Sequence, residues 1–232
     1  MIRNLRTLGI AAVAALAMVA MGATAAQAAE GDIEAKEYPA TVKGTQANEN
    51  VLSNGIRSVS CAEANLSGTL SGPGKTITIQ PLYSSCTGNG NTTATVNMNG
   101  CDYTLHVTER TNASTGHGKV TVDCEVGKSI QIDIWATGKK HTEAKLCRLE
   151  VPAQGPLAGI EYHNRTKPSG KKYIELTIKI NTLRVLRTEG TAVNCGAAEK
   201  VNATYEGPGG EAAKIEATAL NEGGTEIDLF IA

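Results

Sequence analysis

From about residue 50 onward the chain alternates apolar and polar residues in short β-branched runs, with Gly, Pro, Asn or Ser between them about every ten to fifteen residues. A period of two turns one side of each run toward a core and the other toward water. Short runs recurring with turn residues between them predict an all-β, antiparallel architecture. The clearest stretch is Thr92–Met98, then Asn99-Gly100, then Cys101–Val107. Asn-Gly suits the two-residue type I′ turn, so Met98 is expected to face Cys101 across a ladder. The next run is Lys119–Cys124. Pairing Leu105 with Val120 and Tyr103 with Val122 keeps the apolar side chains on one face and sets Cys101 opposite Cys124. Further strands are expected at Ser129–Ile134, Lys145–Val151, Ala158–His163 and Tyr173–Leu186. In the last of these the apolar parity changes at Asn181-Thr182, which predicts a bulge there. The expected fold is an antiparallel β-sandwich, immunoglobulin-like or related, stabilised by disulfides. It occupies residues 51–232 as one elongated sandwich or two packed β modules.

One stretch, Gly68-Thr-Leu-Ser-Gly-Pro-Gly-Lys-Thr76, resembles a phosphate-binding loop. That loop needs Gly, four residues, then Gly-Lys-Ser/Thr, followed by a helix aimed at the phosphates. The position four residues before Gly74 is occupied by Leu70 and the required first glycine by Thr69, with Gly68 one residue too early. The continuation Lys75-Thr-Ile-Thr-Ile-Gln80 alternates like a strand. Ser71-Gly-Pro-Gly74 therefore reads as the turn of a hairpin.

The N-terminus reads as an export signal. Arg3 and Arg6 precede an uncharged apolar run from Leu8 to Gly22, and Ala26-Gln-Ala28 offers a small-residue cleavage site. Residues 1–28 are expected to be a signal peptide, leaving no transmembrane segment after cleavage and placing the protein outside the cell. Residues 29–50, with Glu30, Asp32, Glu34 and Glu37, are expected to form a polar N-terminal arm before the fold. Six cysteines follow: Cys61, Cys86, Cys101, Cys124, Cys147 and Cys195. In an exported chain an even count predicts that all six pair, and no close Cys spacing suggests zinc. Cys101–Cys124 is the first candidate bridge, and the connectivity is otherwise open. A sequence echo between Val59-Ser-Cys61 through Gly72-Pro-Gly74 and Val193-Asn-Cys195 through Gly207-Pro-Gly209 makes Cys61–Cys195 a conceivable closure. The same echo favours a strand over a helix at Glu211–Leu220.

Tyr83-Ser-Ser-Cys86, Ala94-Thr-Val-Asn-Met-Asn-Gly-Cys101-Asp-Tyr, Val120-Thr-Val-Asp-Cys124 and Cys147-Arg-Leu-Glu-Val-Pro-Ala-Gln resemble landmarks of secreted, cysteine-bridged, β-rich proteins of high-GC Gram-positive bacteria. The resemblance spans roughly residues 55–210. It implies export and a cystine-stabilised β fold, and it carries no activity and no catalytic residues.

Charge is uneven along the chain. Residues 138–187 hold eleven Lys and Arg against four Glu, concentrated in Thr137-Gly-Lys-Lys-His141 and Asn164–Lys172. Lys139, Lys140, Arg165, Lys167, Lys171 and Lys172 are the candidate contact for an anionic cell-envelope polymer or an extracellular protein, with no nucleic acid implied. In the register above Asp102 opposes Asp123, with Asn97 expected across from Asp102, a three-residue candidate for calcium. No cofactor is implied. Gly-x-Ser-x-Gly and His-Glu-x-x-His signatures are absent from the sequence. The sequence thus points to a secreted, non-catalytic binding or surface-associated module. A secreted inhibitor of an extracellular enzyme is the alternative. A hydrolase assembled from distant strands around His106 or His163 is a further one.

Overall fold

The computed structural model describes residues 30–90, 92–136 and 145–232; the expected signal peptide, Lys139 and Lys140 lie outside the described residues. Strand β1 (Ile33–Ala35) precedes β2 (Ala40–Gln46) and β3 (Asn50–Ser53). The long strands β4 (Ser58–Leu70) and β5 (Thr76–Gly88) form a hairpin. Then come β6 (Thr92–Asn97), β7 (Cys101–Asn112), β8 (Thr115–Cys124), β9 (Ser129–Trp135), β10 (Lys145–Pro152) and β11 (Gln154–Thr166). The chain ends through β12 (Lys172–Ile178), β13 (Ile180–Gly190), a one-turn helix α1 (Ala192–Cys195), β14 (Glu199–Glu206), β15 (Ala213–Leu220), β16 (Glu226–Ile227) and β17 (Leu229–Ile231).

The strand pairings reduce this list to a simple plan. Six consecutive pairs (β2–β3, β6–β7, β8–β9, β10–β11, β12–β13, β14–β15) each run as one stave interrupted midway, and β4 and β5 are uninterrupted staves. Among the described residues this makes eight staves, each pairing antiparallel with the next in sequence along both of its halves. The eighth returns to the first, β15 to β2 and β14 to β3. The sheet is therefore closed: an up-and-down β-barrel with no free edge along its staves. The expected all-β antiparallel class holds. The pairing closes into a ring where an open sandwich was expected, because β2 supplies the missing stave between β4 and β15.

That stave corrects the reading of residues 29–50. Ala40, Val42 and Asn50 are buried, and Ile33 and Ala35 of β1 pair with β17 across one barrel mouth. The acidic residues masked the alternation Ala40-Thr-Val-Lys-Gly-Thr, whose polar members face outward. At that mouth Asn164 of β11 accepts from Ile231 N at 2.8 Å and donates to Ile231 O at 2.9 Å. Leu229 and Ile231 are thereby held in the opening at 1% exposure.

Asn99 and Gly100 have φ of 49° and 77°, and Cys101 N donates to Met98 O at 2.9 Å, so the type I′ turn is present. The hairpin expected around it is not. β6 pairs with β9, and β7 with β5 and β8, so the two strands lie along one stave and the turn is an excursion of the wall. Gly100 O accepts from Glu125 N at 3.2 Å, docking this excursion against the neighbouring turn of the fifth stave. The register of β7 on β8 is as expected, with Cys101 on Cys124, Tyr103 on Val122 and Leu105 on Val120. The bulge expected near Asn181-Thr182 lies between Ile180 and Leu183 in the pairing of β13 with β14. The strand at 213–220 is present, but β14 and β15 do not pair with each other, so the sequence echo is no duplicated hairpin.

Inward positions are Val, Ile, Leu, Ala, Cys and Tyr, and outward positions are rich in Thr, Ser, Lys, Glu and Asp. A membrane-spanning barrel carries its apolar band on the outside; here that polarity is reversed.

Candidate ligand-binding cavity

Alternation fills a barrel only if the inward side chains match its bore, and an eight-stranded barrel is about wide enough to be filled by them or to hold one small ligand. Two gaps lie among the described residues of the interior. One, of about 30 Å³, lies below the plugged mouth among Ile33, Val42, Tyr162, Ile174 and Leu229. The other, of about 80 Å³, occupies the middle of the barrel where the staves are interrupted. Its wall takes Leu66, Ile79, Leu105 and Leu176 from one half, and Leu52, Val59, Ile132 and Leu183 from the other. Among the described residues, neither cavity is lined by a charged residue or a histidine.

The few polar groups on the larger cavity come from four residues, Tyr83, Tyr103, Tyr205 and Asn50. Tyr83 Oη donates to Tyr103 Oη at 3.3 Å and lies 3.2 Å from Tyr205 Oη. All three hydroxyls are held neutral: burial pushes each pKa above the ordinary tyrosine value, and the neighbouring hydroxyls add to it for Tyr83 and Tyr103. Three hydroxyls carry three hydrogens, and two oxygen–oxygen contacts use two of them, so one donor is left over whichever way the chain points.

Asn50 is 2% exposed and its Oδ1 has no hydrogen-bond partner among the described residues. Its orientation follows from its neighbours. Gln46 Nε2 donates to the Cys61 carbonyl at 3.0 Å, which turns Gln46 Oε1 toward Asn50 Nδ2 at 2.6 Å. A flipped Asn50 would set two acceptors against each other. Asn50 and Leu52 share the inward face of β3, and Leu52 opposes Tyr205 on β14. Asn50 and Tyr205 are thus diagonal cross-strand neighbours, about 7 Å apart.

The cysteines divide into two groups. Cys61–Cys86 and Cys101–Cys124 are disulfides, each joining directly opposed residues of adjacent staves, and Cys61 lines the larger cavity. Cys147 and Cys195 are free and buried, which corrects the expectation that all six pair and removes Cys61–Cys195. Cys61 was already opposed to Cys86 by the β4–β5 register, while α1 carries Cys195 to β10 at the mouth opposite the plug. There Cys195 Sγ donates to Leu146 O at 3.3 Å, and burial, then contact with Cys195, pushes the Cys147 thiol up to about 12.

Of the expected basic contact, Lys139 and Lys140 lie outside the described residues, and Arg165, Lys167, Lys171 and Lys172 surround the β11–β12 connection at the plugged mouth. At the plugged mouth Arg165 pairs with Glu175 at 2.8 Å and Lys167 with Glu226 at 2.8 Å, and Lys172 lies over the Phe230 ring at 5.1 Å. Elsewhere in the segment Lys145 and Arg148 pair with Asp133 and Glu189. Burial raises the Asp133 pKa, but the two hydrogen bonds and charge of Arg148, with Lys145, outweigh it and hold the group below its ordinary value.

The calcium candidate is not assembled either. Asp102 opposes Asp123 as expected, but Asp123 Oδ2 accepts from Thr104 Oγ1 at 2.6 Å. Asn97 opposes Gln131, not Asp102, and caps the wall turn through Asn99 N at 2.9 Å, because β6 and β7 do not pair. His106 points outward to Thr121 Oγ1 at 3.0 Å, and His163 lies 3.4 Å from Glu161 Oε2.

Sequence reasoning placed Tyr103 on the inward face but missed Tyr83, Tyr205 and Asn50 as a group. The available signal was parity: Ile77, Ile79, Pro81 and Tyr83 share one face of β5 in a chain that has only six tyrosines. Comparison with protein-family models, with curated proteins and with solved structures found no match.

Proposed function

We propose that the protein is an exported, non-catalytic binding protein that holds a small apolar molecule inside its barrel. The observation that carries this reading is the mid-barrel cavity, walled by aliphatic side chains from both halves. A closed barrel with a polar outside and an unfilled apolar centre gives up packing contacts that larger side chains could have made. Empty apolar cavities of modest size stay dry and accept apolar guests. Two bridges between adjacent staves and a plugged mouth would keep such a chamber in shape outside the cell. The export signal at residues 1–28 and the disulfides support the extracellular setting.

The test is recovery of a guest. Protein isolated natively from the exported fraction is extracted with organic solvent, and the extract is compared with that from Val96→Trp, which places an indole in the chamber from its wall. A small apolar compound recovered near one per chain from the wild type and lost from the variant is the expected result. Recovery of nothing, together with no methyl NMR response to added aliphatic compounds, would overturn the reading.

A further inference from the structure

We infer that the guest of the mid-barrel cavity is an uncharged aliphatic molecule bearing a hydroxyl group, with the hydroxyl lodged between Asn50 and the tyrosine chain. This rests on the cavity being the binding site and adds its chemical selectivity.

The wall presents one acceptor too many and one donor too many. Asn50 Oδ1, buried and fixed by the Gln46–Cys61 relay, lacks a donor. The Tyr103–Tyr83–Tyr205 chain has one hydrogen more than it has acceptors, and no other acceptor for these hydroxyls is found among the described residues. A buried polar atom without a partner destabilises the fold, so both vacancies select a group that can donate and accept at once. A hydroxyl does both with one oxygen. An alkane would leave both groups unsatisfied. A carboxylate would bring a charge into a wall without Lys, Arg or His, and would set acceptors against Asn50 Oδ1. The aliphatic remainder of the guest would lie along Leu52, Ile79, Leu105 and Ile132.

The experiment compares three probes of similar size, hexanol, heptane and hexanoate, by titration of the purified mature protein. Affinity is read from the methyl NMR shifts of cavity-lining Ile, Leu and Val residues. Hexanol should bind about five- to tenfold more tightly than heptane, the worth of one net hydrogen bond, and hexanoate should not bind. Asn50→Leu should bring hexanol back to the affinity of heptane. Asn50→Ala, which removes the same acceptor, gives the same comparison if Asn50→Leu fails to fold. Heptane binding as well as hexanol would overturn the hydroxyl inference while leaving the apolar chamber intact. Hexanoate binding best would also overturn it, and failure of all three would overturn the chamber itself.

Discussion

The plugged end and the middle of this barrel are built by the same alternation, yet they differ in how polar atoms are treated. At the plugged end Tyr162, 1% exposed, fills the bore, and its hydroxyl donates to His106 O at 3.2 Å. Gly118 leaves room for it: a Cβ there would meet Tyr162 Cε2 at 2.4 Å. Asn164 likewise spends both ends of its amide on Ile231. In the middle, one hydroxyl hydrogen and one amide oxygen have no partner among the described residues, and the space between the walls is larger. Complete pairing marks a region closed for stability, and incomplete pairing around a cavity marks a region open to a guest.

The sharpest way to break that comparison is to remove the plug's main side chain. Tyr162→Ala should cost about 3–5 kcal/mol, the usual penalty for truncating a buried aromatic, read from the urea midpoint. Heptane affinity in the middle cavity should change little in the variant that still folds. A loss under about 1 kcal/mol would mean the plugged end is not the closed region described.

Alkali separates the far mouth from the middle. The Cys147 thiol is raised to about 12 in the fold from an ordinary 9.0. Above pH 9 the unfolded chain ionises and the folded one does not, so this contribution is complete below the ordinary pKa and is lost as pH rises toward 12. Stability should fall by at most about 1.4 kcal/mol per pH unit over that window. The raised tyrosines add the same sign only above about pH 10. Cys147→Ala should therefore delay the onset by roughly one unit in alkaline denaturation profiles. A thiol reagent should find no reactive group in the native protein and two after unfolding, Cys147 and Cys195. Two reactive thiols in the native state would show that this mouth is open.

Most of the wall was legible in the sequence, and the closure was not. Period-two alternation and opposed cysteines fixed the β7–β8 register down to the Cys101–Cys124 bridge, since a slip by one residue would have turned every apolar side chain outward. Asn99-Gly100 specified its turn correctly but not what the turn connects, because a local φ preference does not decide whether the flanking strands pair with each other or with outer neighbours. The stave β2 was hidden by Lys43 and the acids before it, which lie on the solvent face or outside the strand and so say nothing about the inward one. The cavity depends on pairings more than a hundred residues apart, such as Leu52 with Tyr205, which no local pattern carries.

The finest division lies within the tyrosine chain. Tyr83 takes part in both contacts, while Tyr103 and Tyr205 take part in one each. Tyr205→Phe removes a terminal hydroxyl and one contact, and should cost about 0.5–1.5 kcal/mol, while still leaving one hydrogen unpaired between Tyr83 and Tyr103. Hexanol should then keep its advantage over heptane. Tyr83→Phe deletes the central oxygen, isolates both remaining hydroxyls and should cost more than Tyr205→Phe in the same denaturation series. A double mutant equal to Tyr83→Phe alone would show the Tyr205 hydroxyl acting only through Tyr83. Additive losses would instead mean that Tyr205 has a separate role in the wall, and the middle would then resemble the fully paired plug more closely than its geometry indicates.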